Sequence, residues 1–198
     1  KITTTVQTTT TQQVSIDNET AVSTTSSGTS AAQVTAAASS SQNQSKYEAN
    51  VASVAGKMDN RVIAAYQQLG FKLVVDPSVN YSGYFDARSR SITMKQIDDS
   101  VYHELGHFLA FIAGNVDKTA SFQSIFAAEK ANVTAFNKAY VTQNASEYFA
   151  ESVKDYILNN ASLKSTRPQT YAAVQNALNQ ITDAQIAKIQ KIYGAFWN

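Results

Sequence analysis

The sequence predicts an α+β protein with a small N-terminal part of sheet and helix and a mainly helical C-terminal part. Three observations carry this. Composition changes near residue 46, the only β-branched runs with strand character lie between residues 71 and 95, and apolar residues recur at helical spacing from residue 101 almost to the end. The chain has 198 residues, enough for one domain with its own core plus a tail. Its net charge of +1 gives no electrostatic footprint for nucleic acid or a membrane surface. It has no cysteine, which excludes disulfides and thiolate metal ligands. No apolar run reaches membrane-spanning length, so no membrane insertion is expected. The first residue is Lys1 rather than Met, as expected of a chain that begins after a removed leader.

Residues 1–46 are nearly half Ser and Thr and almost lack large apolar side chains. Such a segment cannot bury enough surface to offset its ordering entropy, so it is expected to be a flexible tail or linker. Ile2, Val6, Val14 and Ile16 among β-prone threonines leave a strand as the alternative. The ordered domain is expected over 47–198. From Tyr47 to Leu69 the apolar spacing is helical, through Val51, Val54, Met58, Val62 and Tyr66, and Gly70 stops it. Residues 71–75 read as a strand closed by Asp76-Pro77. Residues 78–90 read as a polar, tyrosine-bearing loop around Gly83. Residues 91–95 alternate polar and apolar and read as a half-exposed strand: either a plain sheet strand, or one at a sheet edge where an extended peptide could add as a further strand.

The next helix carries Val101, Leu105, Phe108, Leu109 and Ile112 as an apolar stripe, with Asp98, Asp99 and Ser100 as N-cap candidates and Gly114 as its stop. On it lies His103-Glu104-Leu105-Gly106-His107, an HExxH pattern that uses both histidines of the chain. Residues i and i+4 share a helix face, so His103 and His107 can hold one metal ion, and Glu104 can reach a water on it. The plain alternative is an amphipathic helix with two histidines. Further helices are expected near 118–130, 145–158 and 168–180, the last opening on Pro168. A fourth starts at Thr182, where Gln185 completes a capping-box pattern.

A catalytic zinc keeps three protein ligands and one open position. With no histidine or cysteine left, the third ligand must be Asp or Glu. Glu147 and Glu151 stand one helical turn apart on one face: one can bind the metal while the other orients a ligand histidine. Asn144-Ala-Ser-Glu147 also reads as a capping box, which would turn Glu147 back to the helix N-terminus. Asp117 and Glu129 are weaker ligand candidates that read as solvated helix charges.

The stretch from Val101 to Tyr171 resembles the anthrax lethal-factor-like metallopeptidase family, which includes the bacterial Pro-Pro endopeptidases. The matching residues are the pentapeptide 103–107, Phe122, Ile125, Phe126 and Glu129, Tyr140, the run Glu147-Tyr148-Phe149-Ala150-Glu151-Ser152, Leu163-Lys164, and Pro168 to Tyr171. The resemblance implies a zincin fold of the gluzincin type (HExxH plus Glu). It implies one catalytic zinc on His103, His107 and Glu147, Glu104 as general base, and Glu151 supporting a ligand histidine. It also implies Tyr140 as a phenol facing the scissile carbonyl, a residue that spacing would not select among ten tyrosines. The function implied is a secreted or cell-surface-associated bacterial zinc endopeptidase, monomeric, taking an extended peptide and cutting proline-containing sites. A non-catalytic binding or adhesion module on the same scaffold is the alternative. Two features depart from the Pro-Pro endopeptidases: the loop before the 91–95 strand lacks their tryptophan, Trp197 being the only one here, and Ser146 rather than an acid precedes Glu147.

Overall fold

A computed structural model describes residues 45–197. The tail expected over 1–46 lies almost wholly outside the described residues. Within them, an α+β arrangement is observed, with one small sheet and a mostly helical remainder. The strands are β1 (Tyr47–Ala49), β2 (Lys72–Val75), β3 (Gly83–Asp86) and β4 (Ser91–Met94). Their order is β1-β2-β4-β3, with β2 and β4 parallel and the outer pairs antiparallel. The period-2 alternation of β2 and β4 puts Leu73, Val75, Ile92 and Met94 on one buried face, with Leu73 opposite Ile92 and Val75 opposite Met94.

Two expectations in this region are corrected. The helix expected from Tyr47 to Leu69 is broken into β1, a single turn α1 (Val51–Val54), and α2 (Asn60–Gln68). Side chains interrupt it. Asn50 Oδ1 accepts from the Ala52 and Ser53 amides at 2.9 and 3.2 Å, and Asp59 Oδ1 accepts from the Arg61 amide at 2.9 Å and starts a new helix. Val51, Met58, Val62, Tyr66 and Leu69 still enter one core, so the apolar stripe holds although the helix does not. The second correction concerns the sheet edge. The 91–94 strand is internal, and the edge beside the motif helix is β3, which lies inside the expected 78–90 loop.

The motif helix α3 (Ser100–Ile112) is the centre of the domain. Asp98 Oδ1 accepts from the Ser100 amide at 2.9 Å, and Gly114 leaves the helix at φ 86°, a left-handed value that costs glycine little. Leu105, Phe108, Leu109 and Ile112 are fully buried. Phe108 meets Tyr66 and Phe71 with ring centroids 5.0 and 4.9 Å apart. The expected C-terminal helices are present: α4 (Ala120–Glu129), α6 (Ala145–Leu158), α8 (Pro168–Asn179) and α9 (Asp183–Tyr193). Two short helices, α5 (Lys138–Val141) and α7 (Asn160–Thr166), join them. The capping box at α9 is half formed. Thr182 Oγ1 accepts from the Gln185 amide at 3.2 Å, but Gln185 Nε2 donates to the Ile112 carbonyl at 2.7 Å and so satisfies the end of α3. Trp197 is a structural anchor: its indole N–H donates to the Ala87 carbonyl at 2.9 Å, and the ring packs on Phe71 and Tyr193.

Candidate metal centre

The site forms where α3 and α6 lie against each other, the most extensive helix contact of the domain. Gly106 makes that approach possible. A Cβ there would stand 2.7 Å from both the Cα and the carbonyl oxygen of Ala150, closer than packed atoms come. A glycine inside a helix costs about 1 kcal/mol relative to alanine, so its place in the middle of the motif was the available sequence signal for close packing.

On α3, His103 and His107 sit one turn apart with ring centroids separated by 5.0 Å. On α6, Asn144 Oδ1 accepts from the Glu147 amide at 2.9 Å. That half of the capping box forms, and the Glu147 carboxylate is left free for the histidines. Its Oε2 lies 3.1 Å from His103 Nε2 and 3.6 Å from His107 Nε2. One ligand atom from each of His103, His107 and Glu147 falls within 4.8 Å of the others. One turn on, Glu151 Oε2 lies 2.9 Å from His103 Nδ1, and its Oε1 lies 3.5 Å from Lys154 Nζ.

Charge at this point is unbalanced without a cation. Burial acts to lower the His103 pKa, but the flanking Glu147 and Glu151 carboxylates outweigh it and raise the value. Burial acts to raise the Glu147 pKa, and the two imidazoles outweigh it and hold the carboxyl below its usual range. Burial acts to raise the Glu151 pKa as well, and His103 and then Lys154 outweigh it and lower the value. A positive charge is therefore called for between His103 Nε2, His107 Nε2 and Glu147: a proton on the imidazole, or a divalent metal. Two imidazole nitrogens and one carboxylate, with the outer nitrogen of His103 fixed by Glu151, are a donor set that zinc accepts.

Glu104 is 7% exposed and points to the cleft side of α3. Burial raises its pKa, and the His103 and His107 charges only partly offset this. The edge strand runs tight against it: a Cβ on Gly83 would meet Glu104 Oε1 at 2.6 Å. Tyr140, on α5, is 52% exposed, with its ring centroid 6.5 Å from that of His103. Burial of its hydroxyl and the negative charge of Glu147 push its pKa up to about 12. Gly83, His103, Glu104, Tyr140 and Lys154 line a cavity of about 360 Å³. Lys154 was not singled out from the sequence, since a lysine on an exposed-looking helix face carries no local signal.

Asp117 and Glu129 lie outside this cluster, and neither is solvated. Asp117 is buried and accepts from Ser146 Oγ at 2.6 Å. Glu129 is buried and accepts from the Gln169 and Thr170 amides at 3.0 and 2.9 Å, and from Thr170 Oγ1 at 2.7 Å. Helix N-termini expose unpaired N–H groups that attract carboxylates, and Glu129 serves the start of α8 in this way.

Residues 87–177, which include β4, α3 and all the side chains just described but Gly83, match the family described as anthrax toxin lethal factor, N- and C-terminal domain. The chain is related to that family through this stretch. Among individual proteins, it is 41% identical over 78 residues to a Pro-Pro endopeptidase of Clostridioides difficile (strain 630). The match covers 37% of this chain and spans about a third, 34%, of that relative's length.

Proposed function

We propose that the chain is a secreted zinc endopeptidase of the gluzincin type, with residues 47–198 as its peptidase domain. The observation that carries this reading is the convergence of His103, His107 and Glu147 within 4.8 Å, with Glu104 on the cleft side of the same helix. His103, His107 and Glu147 would hold the ion, with Glu151 fixing the His103 ring. Zinc held there would supply a Lewis acid for the peptide carbonyl and make water a stronger acid near neutral pH. Glu104, kept more basic by burial, takes the proton of the attacking water and passes it to the leaving amine. The Tyr140 hydroxyl, still protonated at neutral pH, donates to the carbonyl oxygen as negative charge grows on it. β3 is an edge strand of the sheet among the described residues, and Gly83 brings it close to Glu104, so an extended peptide can pair with it. No helix among the described residues is long and apolar enough to cross a membrane.

A peptide library containing proline at each position tests the proposal, because the relative from C. difficile carries the name Pro-Pro endopeptidase. The chain should cleave part of that library. Glu104→Gln should keep near-stoichiometric zinc while turnover falls by at least about 100-fold, the scale of general-base loss. Loss of zinc in parallel would make Glu104 a structural residue. Stoichiometric zinc with no cleavage of any peptide would leave a binding module.

A further inference from the structure

A second cavity lies beside β3. Gly83 lines the first, and Phe85, two residues on and therefore on the same side of the strand, lines the second. This second cavity holds about 310 Å³ and lies on the His107 side of the site. Its walls include Phe85, Phe111 and Tyr193, which are apolar, while Asp117 and Ser146 bring polar atoms to it.

Asp117 is 4% exposed. Its Oδ2 accepts from Ser146 Oγ at 2.6 Å, and no other hydrogen bond to this carboxylate is found among the described residues. No lysine or arginine pairs with it there either. A buried carboxylate normally has a cation or several donors, because removing its charge from water is costly. Ser146, in the first turn of α6, accounts for one oxygen. No hydrogen bond to the other is found among the described residues, and Asp117 lines a cavity whose aromatic walls suit an aliphatic stem. Apolar walls around a carboxylate that no lysine or arginine of the described residues neutralises fit a long side chain with a cationic end.

We propose that the cavity beside His107 is the subsite for a basic side chain, lysine or arginine, of the peptide substrate, and that Asp117 selects it. This rests on the peptidase reading and adds a substrate class to it. Lys118 also lines the cavity, and it defines the rival. Its side chain is solvent-exposed and keeps its charge in water, so it competes poorly with the buried Asp117 for control of the pocket.

The test uses peptide pairs that differ only by arginine against citrulline, which has the same shape without the charge. The arginine is placed in turn at each position around the scissile bond. Cleavage is measured with the zinc-loaded chain, and binding by fluorescence anisotropy with its Glu104→Gln variant. At one position arginine should be favoured by about 10-fold or more, the scale of a charge-assisted hydrogen bond in a buried pocket, in both readouts. Asp117→Asn, which keeps the Ser146 contact, should bring that ratio to near one. Equal use of arginine and citrulline at every position, or a ratio unchanged by Asp117→Asn, overturns the proposal. So does a preference for glutamate, which would assign the cavity to Lys118. Should Asp117→Asn fail to fold, the ratio in the chain with native Asp117 decides the question. Binding that favours arginine without any cleavage would sink the peptidase reading and keep the subsite. Cleavage without discrimination would do the reverse.

Discussion

The two flanks of the candidate metal centre are built in opposite ways. On one, α3 and α6 press together through Gly106 and Ala150, and His103 and Glu151 are buried where they meet. On the other, Tyr140 sits half exposed on a four-residue helix, and Gly83 opens a four-residue edge strand. The contrast separates two tasks. Groups that would fix an ion need positions held by packing on long elements. Groups that would meet a substrate need access, and short exposed elements provide it. The buried flank should therefore control metal affinity, and the open flank should control turnover with the metal in place.

The largest effect should come from Glu147, the one carboxylate among the described residues that pairs with both histidines. Glu147→Ala should strip zinc, measured by metal analysis after dialysis, and leave no detectable turnover. If it keeps its zinc while Glu151→Ala loses it, the roles of the two carboxylates are exchanged. Next is Tyr140→Phe, which removes one hydroxyl from the open flank. Zinc content and stability should be unchanged, while kcat and kcat/KM fall together by about 100- to 1,000-fold, as for one lost oxyanion donor. A raised KM with unchanged kcat would instead show that Tyr140 only holds the ground-state substrate. Glu151→Ala should act on the buried flank alone, weakening zinc by roughly 10- to 100-fold in a competition titration with a chelator. The smallest change is Gly106→Ala. The added methyl meets the Ala150 backbone, which cannot turn aside as a side chain could. It should cost about 1 to 3 kcal/mol and lower Tm by roughly 3 to 10 °C, despite alanine's better helix propensity. An unchanged or higher Tm would mean that the two helices are not held as closely as described.

The same contrast marks what could be read from the sequence. Periodicity located α3, α4, α6, α8 and α9, because long amphipathic helices repeat their signal over several turns. It joined β1, α1 and α2 into one helix because Asn50 and Asp59 act through local side-chain bonds that an apolar stripe does not register. It placed the sheet edge on residues 91–95, when β3 holds that position, since four residues around a glycine look like a turn until their partner is known. At the site, His103, Glu104, His107, Glu147 and Glu151 could be named from spacing on two helices, and the structure brings them together. Tyr140 came only through family resemblance, for a half-exposed tyrosine on a short helix has no pattern of its own. Asp117 and Glu129 look like solvated charges in the sequence because the N–H and O–H donors that they accept from lie 29 to 41 residues away.

Removal and return of the metal test the central claim most directly. Cleavage of a peptide identified in the library screen should vanish when zinc is chelated and return when about one equivalent of zinc is added back. Turnover that survives complete removal of zinc, or that stays absent with one zinc bound per chain, would contradict it.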